Sequence, residues 1–170
     1  GDVFSVYSKS EEKITHENSD RSGFKYIILG HVRITREVGQ DKWEVEVFGV
    51  TNALKRGDRL TVYTPKIEKI YRKYNSQLIE SVIIDSYSPL RTILMSGDVV
   101  YLDRGREDGV RLGDVFGVFS NRDKRTSKFI DKDPVYLLAK IVIISLTEDF
   151  ATGLIMNGAH AIPLGGYAQT

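Results

Sequence analysis

Two octets constrain this chain more than any other feature. Residues 1–8 read GDVFSVYS and residues 113–120 read GDVFGVFS, six of eight positions being identical at an offset of 112. Weaker matches follow in the same order. Gly30–Ile34 aligns with Ala139–Ile143 at an offset of 109, and Trp43–Val47 with Ala151–Ile155 at 108. Asn52–Gly57 aligns with His160–Gly165, again at 108. Self-similarity at a fixed spacing marks a repeated supersecondary unit, and the offset shrinks where surface connections would shorten. Four blocks in one order predict two copies of one unit.

Each block alternates with period two. In Phe4-Ser-Val-Tyr-Ser, Ile28-Leu-Gly-His-Val-Arg-Ile and Trp43-Glu-Val-Glu-Val, apolar residues take turns with small or polar ones, the pattern of half-buried strands. Turn residues separate them at Gly39-Gln-Asp41, at Asn157-Gly158 and at the Gly-Asp pairs 57–58, 97–98 and 113–114. The expected fold is all-β, two copies of a small barrel-like unit. Trp43 shares a face with Val45 and Val47 and is expected to be largely buried. One stretch breaks the rhythm. After Thr64-Pro65, apolar residues at 67, 70, 71, 74 and 78 form a helical stripe, which predicts a short connecting helix over roughly 66–75; an irregular strand is the competing assignment. Strand patterns at 78–85 and 97–103 precede the second GDVF block and have no counterpart before the first. The predicted layout is a partial repeat at 1–65, a helical linker at 66–78 and a complete repeat at 79–170. The chain therefore reads as a fragment whose boundary falls inside a repeat. The strand at 3–7 should be paired, with the other copy or with a neighbouring molecule, because an open edge seeks a partner.

Composition narrows function mainly by exclusion. There is no cysteine in 170 residues, so thiolate metal sites, cysteine nucleophiles and disulfides are absent. The net charge of +1 comes from 24 basic and 23 acidic residues, without the basic excess usual in nucleic-acid binders. No apolar run approaches the roughly 20 residues of a membrane-spanning helix.

The densest polar stretch, Asp103–Asp114, lacks the acid spacing of a calcium loop. It reads instead as a strand reversal, with Gly105, Gly109 and Gly113 supplying positive φ and Asp108 and Asp114 bonding nearby amides. Gly105–Gly109 lacks the Lys-Ser/Thr ending of a phosphate loop. His16, His31 and His160 are widely separated and form no ligand-spaced pair, so no metal or cofactor is expected. Catalytic residues are not assigned, and the chain is not expected to be an enzyme. A hydrolase with a dispersed site would require a pocket with perturbed carboxylates. The basic run Asn121–Lys128 and the aromatics Tyr7, Trp43, Tyr63, Tyr101 and Phe119 offer one alternative, a cytoplasmic nucleic-acid-binding barrel. Most of these aromatics fall in phase with Val or Ile, as sheet-face residues do.

The stretch Gly97-Asp-Val-Val-Tyr-Leu-Asp-Arg-Gly, followed by Asp108-Gly-Val-Arg-Leu-Gly-Asp-Val-Phe-Gly-Val-Phe119, resembles a segment of bacterial cell-envelope proteins. In those proteins it commonly lies C-terminal to a LysM peptidoglycan-binding domain. It is also similar to the C-terminal domain of the flagellar assembly protein T family. The resemblance covers 79–166 well and 1–62 as a partial second copy; the closing Gly-Asp pair is kept at 57–58 and altered to Gly165-Gly166. No LysM domain is visible in these residues, so its sugar-binding role is not carried over. The resemblance implies a periplasmic or envelope location and a non-enzymatic structural or interaction module. Its partners would be envelope proteins or cell-wall polysaccharide, with self-association available through the edge of the incomplete repeat. It supplies no catalytic residues, and the binding residues are left unassigned.

Overall fold

In the computed structural model, residues 1–65, 69–88, 91–120, 136–158 and 160–170 are described. The chain forms two compact units. Unit 1 comprises Gly1–Lys13 and Gly23–Glu68; unit 2 comprises Ile14–Ser22 and Lys69–Thr170. Both are β structures, and the basic run 121–128 lies outside the described residues.

Unit 1 is an open antiparallel sheet of β1 (Val3–Lys9), β2 (Tyr26–Gly39), β3 (Lys42–Phe48) and β4 (Arg59–Val62). Their order is β3-β2-β1-β4. The N-terminal strand is thus central and paired on both sides within its own unit. The pairing expected of it is present, but neither the other unit nor another molecule supplies it. Phe4, Val6, Leu29 and Val32 begin a small core with Ile27 and Leu54.

Unit 2 closes. Strands β5 (Glu80–Ser86), β7 (Val99–Leu102), β8 (Val115–Ser120), β9 (Tyr136–Leu146), β10 (Ala151–Met156) and β12 (Tyr167–Gln169) form a barrel in the order β10-β7-β5-β12-β8-β9. A short pair, β6 (Ile93–Leu94) and β11 (Ile162–Pro163), stands beside it. Closure removes both sheet edges and shields the interior, where Phe116, Val118, Ile141, Ile143, Ile155, Ile83 and Leu102 are buried.

The pairings in the two units run at constant offsets. Val3↔Arg33, Phe4↔Val32, Ser5↔His31 and Val6↔Gly30 stand against Val115↔Val142, Phe116↔Ile141, Gly117↔Lys140 and Val118↔Ala139, with a bulge following Val6 and Val118 alike. The next ladder repeats this. Val32↔Val47 and Ile34↔Val45 stand against Ile141↔Ile155 and Ile143↔Gly153, and the following register shift again coincides. Val6↔Leu60 and Ser5↔Thr61 stand against Val118↔Ala168 and Gly117↔Gln169. A one-residue slip would turn every side chain to the other face, so shared bulges keep the same positions inside.

The linker predicted over 66–78 is not helical where it is described: 69–78 is irregular, with a bend at 76–77, and Lys73 forms a parallel bridge to Asp114. The Lys73 amide donates to the Gly113 carbonyl at 2.7 Å, and the Val115 amide donates to the Lys73 carbonyl at 3.1 Å. Tertiary partners take the backbone groups a helix would have used, and Tyr71, Tyr74 and Leu78 of the apolar stripe stay exposed. Trp43 is not buried but 53% exposed. It does share its face with Val45 and Val47, which are also exposed; the small core covers Val6 and Val32 on this face but does not reach β3.

Three Gly-Asp turns share one geometry. In each, the Asp amide donates to the carbonyl three residues earlier, and its carboxylate accepts that residue's amide: Lys55 at 2.5 Å, Met95 at 2.9 Å and Arg111 at 2.9 Å. Gly113 holds φ +89, and a Cβ there would strike the Tyr71 carbonyl, so only glycine fits without displacing the 69–78 segment. Gly105 has an extended φ of −130 and not the positive value expected. Its lack of a side chain is used for close approach to Glu148 and Asp149.

Removing Phe116 tests the value of closure. Phe116→Ala is expected to destabilise unit 2 by about 3–5 kcal/mol, and Phe4→Ala to destabilise unit 1 by less than half as much. Trp43 is the sole tryptophan, so its fluorescence in urea follows unit 1, while far-UV circular dichroism adds the transition of unit 2. Equal costs would contradict the difference in coverage.

Candidate functional site

The polar clusters around Asp103 and Asp108 hold the fold together. Asp103, at the end of β7, is buried. Its Oδ1 accepts hydrogen bonds from Ser81 Oγ at 2.9 Å and the Val82 amide at 2.7 Å, and its Oδ2 accepts from Ser19 Oγ at 2.7 Å. Arg104 lies 3.3 Å from the same carboxylate. Arg21 grips Asp108 in a two-pronged pair, with donor–acceptor distances of 2.6 and 2.8 Å. It also donates to the carbonyls of Asp103 and Asp149. Burial disfavours the Asp108 carboxylate, but hydrogen bonds from Arg21 and the Gly105 amide, with the charges of Arg21 and Arg104, outweigh it. They hold this carboxyl below the ordinary range. The pair is mutual, and the Arg21 guanidinium is held more firmly protonated by the Asp108 hydrogen bond despite partial burial. A carboxylate so tightly held is a poor proton acceptor at neutral pH.

Ser5 and His31 stand 3.0 Å apart, Oγ to Nδ1. Ser5 is buried, and its Oγ also accepts the Thr64 amide at 2.8 Å. The ring of His31 packs between Phe48 and Tyr63, at centroid distances of 5.5 and 5.1 Å. The hydroxyl thus ties β1 to β2 and to the segment that follows β4, a structural use. Burial pushes the Tyr101 phenol up to about 12, with Asp85 and Tyr87 adding to it, so it stays protonated at neutral pH. No group of three or more His, Asp or Glu able to hold a metal occurs among the described residues.

One concave feature with mixed chemistry lies in unit 2; another, in unit 1, is lined by Tyr7, Lys9, Glu11, Phe24, Asp58 and Arg59. Strand β12 pairs with β8 only at Val118 and Gly117, so Phe119 and Ser120 continue past its end beside β9 alone. The gap in unit 2 is a groove of about 700 Å³ lined by His16, Glu17, Asn18, Phe119, Leu138 and Tyr167, among others. Asn18 Nδ2 donates to the Gly165 carbonyl at 3.1 Å, and the Asn18 amide donates to His16 Nδ1 at 3.2 Å. A Cβ on Gly165 would collide with the His16 ring. Phe119 was among the aromatics singled out in the sequence; Tyr7, Trp43, Tyr63 and Tyr101 line no part of this groove. The sequence offers His16 only as a candidate metal ligand and gives no sign of Glu17 and Asn18, because the contact of Asn18 to Gly165 joins distant parts of the chain and leaves no local signal.

No family model matches the chain, and no match to it was found among curated proteins or solved structures.

The Arg21–Asp108 pair carries an acid-dependent share of stability. Because the folded-state value of Asp108 is lowered, this share is fully present above the unfolded value of about 3.9 and is lost as pH falls through the folded one. Asp108→Asn is therefore expected to cost about 1–3 kcal/mol at pH 6, the gap to wild type closing below about pH 4. Urea titrations across this range check it; a gap independent of pH would refute the assignment.

Proposed function

We propose that this chain is a non-enzymatic structural and interaction module of a larger bacterial cell-envelope protein. It is built from two copies of one β unit, of which the first lacks two strands. The coincident strand registers and bulges of units 1 and 2 support the duplication. The resemblance of 97–119 to envelope proteins supports the location, in the periplasm or on the envelope.

The groove in unit 2 carries the binding role. It combines two aromatic faces, Phe119 and the exposed Tyr167, with the polar groups of His16, Glu17 and Asn18. Aromatic rings stack on the apolar faces of sugar rings while carboxylates and amides accept and donate to hydroxyls. An extended cell-wall glycan matches this chemistry. A polypeptide laid beside β8 would use the same groove by strand addition.

Co-sedimentation of chain 1–170 with purified peptidoglycan sacculi tests the reading. Tyr167→Ser and Glu17→Gln are expected to reduce binding at least about fivefold, equivalent to about 1 kcal/mol, without changing the urea transitions. Binding should change little between low and moderate salt. Failure to bind sacculi, with single-stranded oligonucleotide binding that falls steeply with salt, would replace this function with the nucleic-acid alternative.

A further inference from the structure

The barrel-interior positions of unit 2 can be followed into unit 1 through the shared registers. Ala151, Ile155 and Ala168 are 2%, 1% and 2% exposed; the residues at the same ladder positions, Trp43, Val47 and Leu60, are 53%, 47% and 56% exposed. Val45 and Val62 lie on the same face and are exposed as well, whereas Val6 and Val32 at its centre are buried in the small core. In unit 2 this face is covered because β7 pairs with β10 and β5 pairs with β12. Unit 1 stops at β3 on one side and β4 on the other, the strands that correspond to β10 and β12. It therefore has an apolar inner face of the kind soluble proteins rarely leave open, flanked by edges at β3 and β4 that pair with no further strand among the described residues.

We infer that the open face and both edges of unit 1 are the receiving surface for one antiparallel strand pair with the residue pattern of β5 and β7. This pair is carried on the same polypeptide ahead of Gly1. The inference rests on the reading of the two units as copies. The register fixes the details. Leu102 faces Ala151, Tyr101 faces Thr152 and Val100 faces Gly153, so the incoming β7 counterpart lies along Trp43, Glu44 and Val45. Ser81 faces Ala168 and Glu80 faces Gln169, so the β5 counterpart lies along Leu60 and Thr61. The chain order agrees: in unit 2 both strands precede Gly113, which stands where Gly1 stands, and the Asp114 carbonyl accepts the Ile143 amide at 2.9 Å as the Asp2 carbonyl accepts that of Ile34. Unit 1 carries Trp43, Val45 and Leu60 where unit 2 has Ala151, Gly153 and Ala168. The incoming pair thus meets bulkier neighbours and needs smaller side chains than Ile83 or Leu102 at some inward positions.

The chain supplies its own probe. A copy of residues 77–112, which contains no tryptophan, is fused directly before Gly1 of chain 1–170, with a scrambled copy as control. Closure is expected to shift Trp43 emission to shorter wavelength and protect it from acrylamide. It should also slow amide exchange at 43–46 and 59–61 at least about tenfold; the scrambled fusion should do neither. Because the chain has no cysteine, register can be trapped chemically. Glu44→Cys combined with Tyr101→Cys in the fused copy should cross-link on mild oxidation, and pairs displaced by two residues should not. Side chains of the fused copy are also trimmed in a second variant (Ile83→Val, Leu102→Val), so that crowding against Trp43 cannot mask docking. Unchanged Trp43 emission and exchange in both fusions overturn the inference, while sacculus binding by chain 1–170 stays as it was. Closure with cross-linking only in a displaced register overturns the reading of the units as copies. Protection of Trp43 in unfused chain 1–170 through self-association that persists in both fusions assigns the face to a second copy and also overturns the inference.

Discussion

The bulged ladder between β8 and β9 sets the arrangement of unit 2. Val115 to Val118 pair in one register with Val142 to Ala139, and the register then shifts before Phe119. Further shifts lie between β9 and β10 and between β5 and β7; such bulges bend the sheet towards closure, while alternation along β8 puts Phe116 and Val118 on the inner face. Six strands then meet around an interior in which Phe116, Ile141, Ile143 and Ile155 are buried together. The same ladder, with the shift at the matching place, organises β1 and β2. What differs is how far the sheet continues. With β5 and β7 present the face is sealed; in unit 1 Val47 and Trp43, on the corresponding face, stay exposed.

Local rules for turns travel with this pattern. The Gly-Asp turn ties a strand entry by two hydrogen bonds, one from the backbone and one to the carboxylate, and it recurs at 57–58, 97–98 and 113–114. Asp114 is buried and also accepts from Asn75, which fastens 69–78 to the barrel. Buried polar groups of this kind are tolerated because each finds a partner; among the described residues no buried side-chain nitrogen or oxygen is left without one. The polar residues that look chemically promising in the sequence, Asp103 and Asp108 above all, are used up in this way.

The strands were legible because alternation is a local signal: Phe4-Ser-Val and Trp43-Glu-Val-Glu-Val carry their sheet faces in their own order. The offsets of 112, 109 and 108 along which the sequence aligns are those along which the pairings coincide. The stripe at 67–78 misled because helical spacing describes one face of an isolated segment, while Gly113 and Asp114 captured its backbone from outside. Burial of Trp43 was misjudged for a related reason. Alternation tells which side chains share a face but not whether anything covers it. The groove residues His16, Glu17 and Asn18 were illegible, since their position depends on Gly165 and on where β12 ends.

Residue-resolved hydrogen exchange on chain 1–170 tests the central claim most directly, that one ladder is closed in unit 2 and open in unit 1. The account predicts that outward amides of β3 and β4 exchange at nearly unprotected rates while those of β10 and β12, at the same ladder positions, are protected by orders of magnitude. Equal protection of the two sets would contradict it.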